Sequence, residues 1–228
     1  MVSLSRIATK EARMILAPHH TKRVYRRAAR NQPATDKFER RLPKMNQTDA
    51  KTRLLRLIRD HALLEGGDFE FASGARASVY VDLRRVTMHP EGAVLIGAIL
   101  VERLAGKGVE SIGGMATAAI PVVTSVVMAS AATDHPLRGF YVRDKAKTHG
   151  TQRQIEGQMQ KGDKVVLLED TMTSGRSTMT AVDAVRAEGG EVVGVITVVD
   201  RQQGGAELYA AENIPFQALI SLDDITSA

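Results

Sequence analysis

Residues 165 to 178, VVLLEDTMTSGRST, place two carboxylates, Glu169 and Asp170, directly after four apolar residues. Six of the next eight residues are Thr, Ser or Gly. Adjacent acids at a strand end suit a ligand with several hydroxyls, or a cation. The residues that follow, Thr171, Met172, Thr173, Ser174, Gly175, Arg176 and Ser177, offer hydroxyls and main-chain N–H groups where a helix should begin. The helix dipole there favours an anion by roughly 0.3–2 kcal/mol. A ligand pairing ribose hydroxyls with a phosphate would satisfy both halves. A polar loop in which Ser174 or Ser177 merely caps the helix is the plainer alternative.

A second stretch has chemical character. RDKAKTHGTQRQIEG, residues 143 to 157, sets Arg143, Lys145, Lys147 and Arg153 around His149, with little apolar content and with Gly150 and Gly157 to let it move. Such a segment either is a solvated basic loop or closes as a lid over a polyanion.

The elements that must position these residues alternate. Asp49 is expected to cap a helix with Leu54, Leu57, Ile58 and Leu64 on its apolar face, ended by Gly66-Gly67. FEFASGARASVYVDLR reads as two extended pieces around Ser73-Gly74, with Val79, Val81 and Leu83 alternating against Tyr80, Asp82 and Arg84. Pro90 starts a helix, SIGGM is a short strand, and residues 119 to 131 form a buried helix. GFYVR and KVVLL are strands, STMTAVDAVRAEGG is a helix, EVVGVITVVD is a long strand, and a helix near 205 to 212 precedes a final strand FQALISL. This is the pattern of a parallel sheet covered on both faces. Ligands of such sheets sit beyond the carboxyl ends of the strands, where Glu169 and Asp170 are expected to emerge from the buried KVVLL.

Composition sets outer bounds. The 228 residues contain no Cys, which excludes disulfides, thiolate nucleophiles and Cys-based metal sites, and suits a reducing compartment. The longest nearly apolar stretch, residues 119 to 132, is interrupted by Pro and hydroxyls and too short to span a bilayer. The net charge of +5 is unevenly spread. Residues 1 to 44 carry 12 Lys or Arg against 3 Asp or Glu; the remainder carries 19 against 23. The body is therefore mildly acidic, and neither nucleic acid nor membrane is an expected partner of it. The leader reads as a basic, poorly ordered extension, taken here as upstream of a working start at Met45. An organelle-targeting segment and a basic arm for RNA or an acidic partner are the alternatives.

The acid–hydroxyl stretch resembles the phosphoribosyl-pyrophosphate (PRPP) signature of type I phosphoribosyltransferases, and three further segments narrow the likeness to the orotate enzymes. These are RDKAKTHGTQRQIEG, similar to their mobile loop; FEFASGARASVYVDLR, similar to their N-terminal signature; and VVDRQQG, residues 198 to 204, similar to the segment whose Arg contacts the orotate carboxylate. The resemblance covers roughly residues 50 to 224. It implies an α/β fold with a central, mostly parallel sheet flanked by helices and a small N-terminal hood, within a domain spanning residues 45 to 228. It implies transfer of a 5-phosphoribosyl group from PRPP to N1 of orotate, in the synthesis of UMP, by a cytoplasmic enzyme. Residue by residue, it makes Lys147 and Asp170 catalytic and Arg143, Lys147 and His149 contacts to pyrophosphate. Glu169 and Asp170 hold the ribose, residues 171 to 177 hold the 5-phosphate, and Thr173 and Arg201 contact orotate. Mg²⁺ is the implied cofactor, held mainly by substrate oxygens. A homodimer is implied, with the loop 143 to 150 acting in trans.

The chain departs from that pattern at Asp144, where many relatives carry a lysine, with Lys145 one place later. It also departs at Arg76, where lysine is common; GGMATAAIP resembles the branch with a GG-x-x-x-x-x-x-P segment and lacks the lysine that another branch carries there, so no contact is carried over to Thr117 or Ala118. A purine-specific transferase, a PRPP-sensing regulator using the basic leader, and a relative disabled by Asp144 are the competing readings.

Overall fold

The computed structural model describes residues 46–70, 76–144 and 154–227. The first helix, α1 (Gln47–His61), is capped not by Asp49 but by Asn46, whose side chain accepts from Thr48 N at 3.0 Å. Asp49 instead adds negative charge to the first turn, where the helix dipole favours it. The helix ends at His61, five residues before Gly66. Leu64 belongs to a strand, β1 (Leu63–Glu70), which pairs antiparallel with β2 (Arg76–Val81). The glycines read as a helix stop lie where the β1–β2 register shifts, between Glu65 and Phe69. Gly66 takes φ +74 there, and a Cβ on Gly67 would strike the Phe69 ring. The turn at Ser73-Gly74, and Arg76's side chain, lie outside the described residues, as do residues 1–45 and 145–153.

The remaining elements form one six-stranded sheet. In chain order they are α2 (Arg84–Thr87), α3 (Pro90–Leu104), β3 (Ser111–Gly113), α4 (Ala119–Ser130), β4 (Arg138–Val142), β5 (Ile155–Gly157), β6 (Lys164–Met172), α5 (Arg176–Ala187), β7 (Glu191–Asp200), α6 (Gly205–Ala211), β8 (Phe216–Ser221) and α7 (Leu222–Thr226). The sheet order is β5-β4-β3-β6-β7-β8, parallel throughout except for β5, which runs antiparallel to β4. This is the expected α/β architecture. α2, β5 and α7 were not anticipated; each spans five residues or fewer, too short to show a period.

The core has two parts, as a sheet covered on both faces requires. Val166 and Leu168 of β6 pack with α1, α3 and α4, whereas Val165 and Leu167 pack with α5 and Tyr209 of α6. This alternation is the strand period of two, which a run of apolar residues conceals in the sequence. β6 lies between β3 and β7, inside the sheet. Among the described residues no helix is long and apolar enough to cross a membrane.

One polar group is buried where the strands begin. Asp163, 4% exposed, accepts from Gln160 N at 2.8 Å and from the Ser111 hydroxyl, and it pairs with Arg138. Burial pushes its carboxyl up, but these hydrogen bonds and the Arg138 charge outweigh it and hold the group below its ordinary value. Asp163 thus ties the starts of β3, β4 and β6 together. Asp163→Ala should lower unfolding free energy by about 2–4 kcal/mol in urea titrations, since it strands Arg138 and Ser111. A loss below about 0.5 kcal/mol would mean that the network contributes nothing beyond an ordinary surface contact.

Candidate active site

The expected strand end is not where KVVLL stops. β6 continues to Met172, so Glu169 and Asp170 are strand residues, 6% and 8% exposed. The expectation that the two acids emerge from the strand after KVVLL is corrected here: Glu169 pairs in register with Thr197 of β7, and the acids are held inside the sheet's upper edge. Partners make this tolerable. The Thr178 hydroxyl donates to Glu169 Oε2 at 2.8 Å, Thr171 N donates to Asp170 Oδ1 at 2.6 Å, and the Arg84 charge draws on Asp170. Burial first, then the neighbouring Asp170 charge, pushes the Glu169 carboxyl up to about 8. Burial also raises Asp170, against the pull of Thr171 N and Arg84. The pair therefore holds a proton near neutral pH.

Asp170 opens onto a cleft of about 260 Å³ beyond the carboxyl ends of the parallel strands. Thr171 follows it from β6, and Arg201 enters from the residue after β7. The segment between β3 and α4 contributes Thr117 and Ala118, and the chain from β2 into α2 contributes Tyr80, Val81, Asp82, Leu83 and Arg84. The cleft thus lies between the hood hairpin and the sheet. Arg201 is 6% exposed; burial lowers its pKa and the nearby Tyr80 opposes this, yet a guanidinium stays charged in proteins. Its main-chain N–H donates to Met172 O at 3.0 Å, which fixes the end of β7 against the end of β6.

Beyond Asp170 the chain turns into α5. Met172 points its side chain into the core, 2% exposed, so only its main chain can face a ligand. Thr173 is half-buried, and Ser174, Arg176 and Ser177 are exposed. Gly175 is the N-cap of α5 at φ +75, with no side-chain cap bond. The reading in which Ser174 or Ser177 caps this helix therefore falls away. The loop is held from behind: Tyr209 Oη donates to Gly175 O at 3.2 Å, and a Cβ on Gly175 would stand 3.0 Å from the Tyr209 ring and hydroxyl. Gly205 packs as closely beneath, where a Cβ would run into Met172 and lie 2.9 Å from Thr173 O.

The structure brings Asp170, Thr171 and Arg201 to one cleft. Glu169 lies one residue further in. Arg143 does not line this cleft; its guanidinium is 3.6 Å from Glu156 on the paired strand β5. Arg143 and Gln154 close the base of the loop, Arg143 N donating to Gln154 O and Gln154 Nε2 to Arg143 O, both at 3.0 Å. Lys147 and His149, with Lys145 and Arg153, lie outside the described residues. Tyr80, Asp82 and Arg84 were legible as the polar side of the VYVDLR alternation but were assigned no role. Thr117 and Ala118 gave no signal beyond following glycines, and Tyr209 and Gly205 gave none.

Comparison with known proteins gives one answer. Residues 94–217 match the phosphoribosyl transferase domain family. The orotate phosphoribosyltransferase of Corynebacterium glutamicum is 42% identical over 177 residues, 78% of this chain and 94% of that protein. That of a Nostoc species is 42% identical over 176 residues, 77% of this chain and 84% of the relative. Among solved structures, Mycobacterium tuberculosis orotate phosphoribosyltransferase with Fe(III) dicitrate aligns at TM-score 0.69 and 41% identity, covering 78% of this chain and 99% of that one. The same enzyme with PRPP aligns at TM-score 0.63 and 36% identity, covering 78% and 92%.

The buried acid pair makes stability depend on pH. In the unfolded chain Glu169 returns to its ordinary value of 4.5, so the folded protein binds an extra proton between there and about 8. Its contribution is fully present below the unfolded value and is lost as pH rises through the folded one. Urea titrations from pH 5.5 to 8 should show stability falling by up to about 1.4 kcal/mol per pH unit, and Glu169→Gln should flatten that slope. An unchanged slope in the variant would show that Glu169 ionises normally in the fold.

Proposed function

This chain belongs to the orotate phosphoribosyltransferase family, and on that premise we propose how its cleft performs the family's reaction. The enzyme transfers the 5-phosphoribosyl group of PRPP to N1 of orotate, releasing pyrophosphate, in pyrimidine biosynthesis. The observation that carries the assignment of roles is the meeting of Asp170, Thr171 and the buried Arg201 in one cleft, beside a helix start with no side-chain cap.

As the bond from the anomeric carbon to pyrophosphate breaks, the ribose becomes cation-like and the leaving group gathers negative charge. Asp170 holds the ribose hydroxyls and faces the developing positive charge, with Glu169 behind it as the second carboxyl. The 5-phosphate sits on Thr171, Thr173, Ser174, Gly175, Arg176 and Ser177, and on the main chain of Met172. Arg201 takes the orotate carboxylate, for which a planar guanidinium offers two parallel hydrogen bonds. Thr173 is the second orotate contact. N1 gives up its proton, which leaves with the pyrophosphate, and bonds to the anomeric carbon from the face that pyrophosphate does not occupy.

Lys147, His149 and Arg143 supply positive charge to the departing pyrophosphate when the loop closes. Arg143 must turn from Glu156 to do so. Asp144 is exposed, which is compatible with its carboxylate facing away from the phosphates. Magnesium fits this site as a partner of substrate oxygens. Among the described residues no group of three or more His, Cys, Asp or Glu is placed to hold a metal ion, while Asp170 and Asp82 bring carboxylates to the cleft. Those two would steady the ion, which when bound neutralises charge on the leaving group. We assign the working form as a cytoplasmic homodimer whose loop 143 to 150 serves the neighbouring subunit. The dimer is supported by the uncharged helix α4 and by the exposed apolar side chains of Met88, Val94 and Met128 on it and its neighbours.

Orotate absorbance should fall only when protein, PRPP and Mg²⁺ are all present. Lys147→Ala should slow turnover by about 10²–10³-fold, the usual cost of removing one transition-state charge contact. Binding of adenine or hypoxanthine in preference to orotate would overturn the base assignment. Mixing Lys147→Ala with Asp170→Ala subunits should restore part of the activity, because one site of the mixed dimer is then intact; no recovery would place the loop in cis.

A further inference from the structure

The short helix α7 has no part in the reaction as described, yet it is tied down at both ends. Ser221 and Asp224 form a reciprocal capping box, Asp224 N donating to Ser221 Oγ and Ser221 N to Asp224 Oδ2, both at 3.0 Å. Its far end is held by Arg59 of α1, whose Nε donates to Ile225 O at 2.9 Å and whose Nη2 donates to Asp224 O at 2.6 Å. Ile225 is buried in the core. Five residues with these anchors make a rigid peg rather than a fraying tail.

Its first turn reaches the residue next to Arg201. Gln202 Nε2 donates to Asp223 Oδ2 at 3.0 Å, and Asp223 N donates to Gln202 Oε1 at 3.3 Å. One carboxamide thus meets both the carboxylate and an otherwise open N–H of the helix start. Gln202 sits at φ 56, a conformation that favours Gly or Asn. Gln is therefore retained where the backbone would prefer another residue and where its side chain has a specific partner. Its own N–H donates to Asp200 Oδ1 at 2.8 Å, so Arg201 lies between two pinned neighbours.

The other side of Arg201 leads back to the same helix. Tyr80 of β2 shares the cleft with Arg201, and Asp82 N just beyond β2 donates to Ala62 O, at the end of α1, at 2.9 Å. α1 is therefore tied both to α7 and to the end of the hood strand whose Tyr80 lines the same cleft as Arg201.

We propose that α7 is a strut that aims Arg201 into the cleft, and that Asp223 and Gln202 are positioning residues for the planar carboxylate substrate. The proposal rests on Arg201 being the orotate contact. It predicts a defect confined to one substrate. Asp223→Ala should raise KM for orotate by about two- to tenfold, with kcat and KM for PRPP within about twofold of wild type, as expected for loss of one or two modest hydrogen bonds. Asp223→Asn keeps the acceptor and should restore orotate KM. Gln202→Gly relieves the backbone yet should reproduce the Asp223→Ala defect, and the double variant should be no worse than either single one. The proposal is overturned if Arg201→Ala raises orotate KM while Asp223→Ala and Gln202→Gly do not. It is equally overturned if both KM values rise together, or if melting temperature alone changes. If Arg201→Ala itself leaves orotate KM unchanged, the orotate contact is wrong and the strut falls with it.

Discussion

Two carboxylates buried at the end of the interior strand β6 are the constraint around which this protein is arranged. Burying one acid is costly, and burying two side by side is worse, because each raises the price of ionising the other. The fold meets that cost with directed partners: Thr178 from α5 for Glu169, the Thr171 main chain for Asp170, and the Arg84 charge from beyond the hood. None of these would be needed for a stable sheet. They make sense if a hydroxyl-rich ligand completes the site, and they leave the free protein with a proton that a cationic or hydrogen-bonding ligand can displace.

From that strand the rest of the site follows outward. Arg201 N is fixed to Met172 O, one residue past Thr171, so the groups proposed for sugar and for base lie at two adjacent strand ends. The phosphate loop is backed by Tyr209 and Gly205, so it presents its amides from a firm base. The segment bearing the cations lies between β4 and the edge strand β5, which are joined at Arg143 and Gln154.

Much of this was legible in the chain and some was not, for definable reasons. The alternation of strands and helices gave the architecture, and the VVLLEDTMTSGRST stretch singled out the two acids and the loop proposed to hold the phosphate. Its environment was misjudged: adjacent acids were expected to leave the strand, but β7 continues alongside, and Glu169 and Asp170 stay in register with it. A capping residue was placed three positions late because Asn46 and Asp49 are both competent caps, and only packing of Ala50, Leu54 and Ile58 decides between them. Gly66-Gly67 was taken as a helix stop, though a glycine pair serves a strand bulge equally well. Thr117, Ala118, Tyr209 and Asp223 reach the site only through tertiary contact, so their neighbours in sequence say nothing about them. Lys147 and His149 rest on the resemblance alone, since they lie outside the described residues.

The most direct test is a crystal structure of the protein with PRPP bound. The account predicts the ribose 2- and 3-hydroxyls within hydrogen-bonding distance of Asp170, the 5-phosphate on the main chain of residues 173 to 177, and the anomeric carbon facing the Arg201 side of the cleft. A sugar seated elsewhere, or a phosphate that leaves the start of α5 bare, would contradict it.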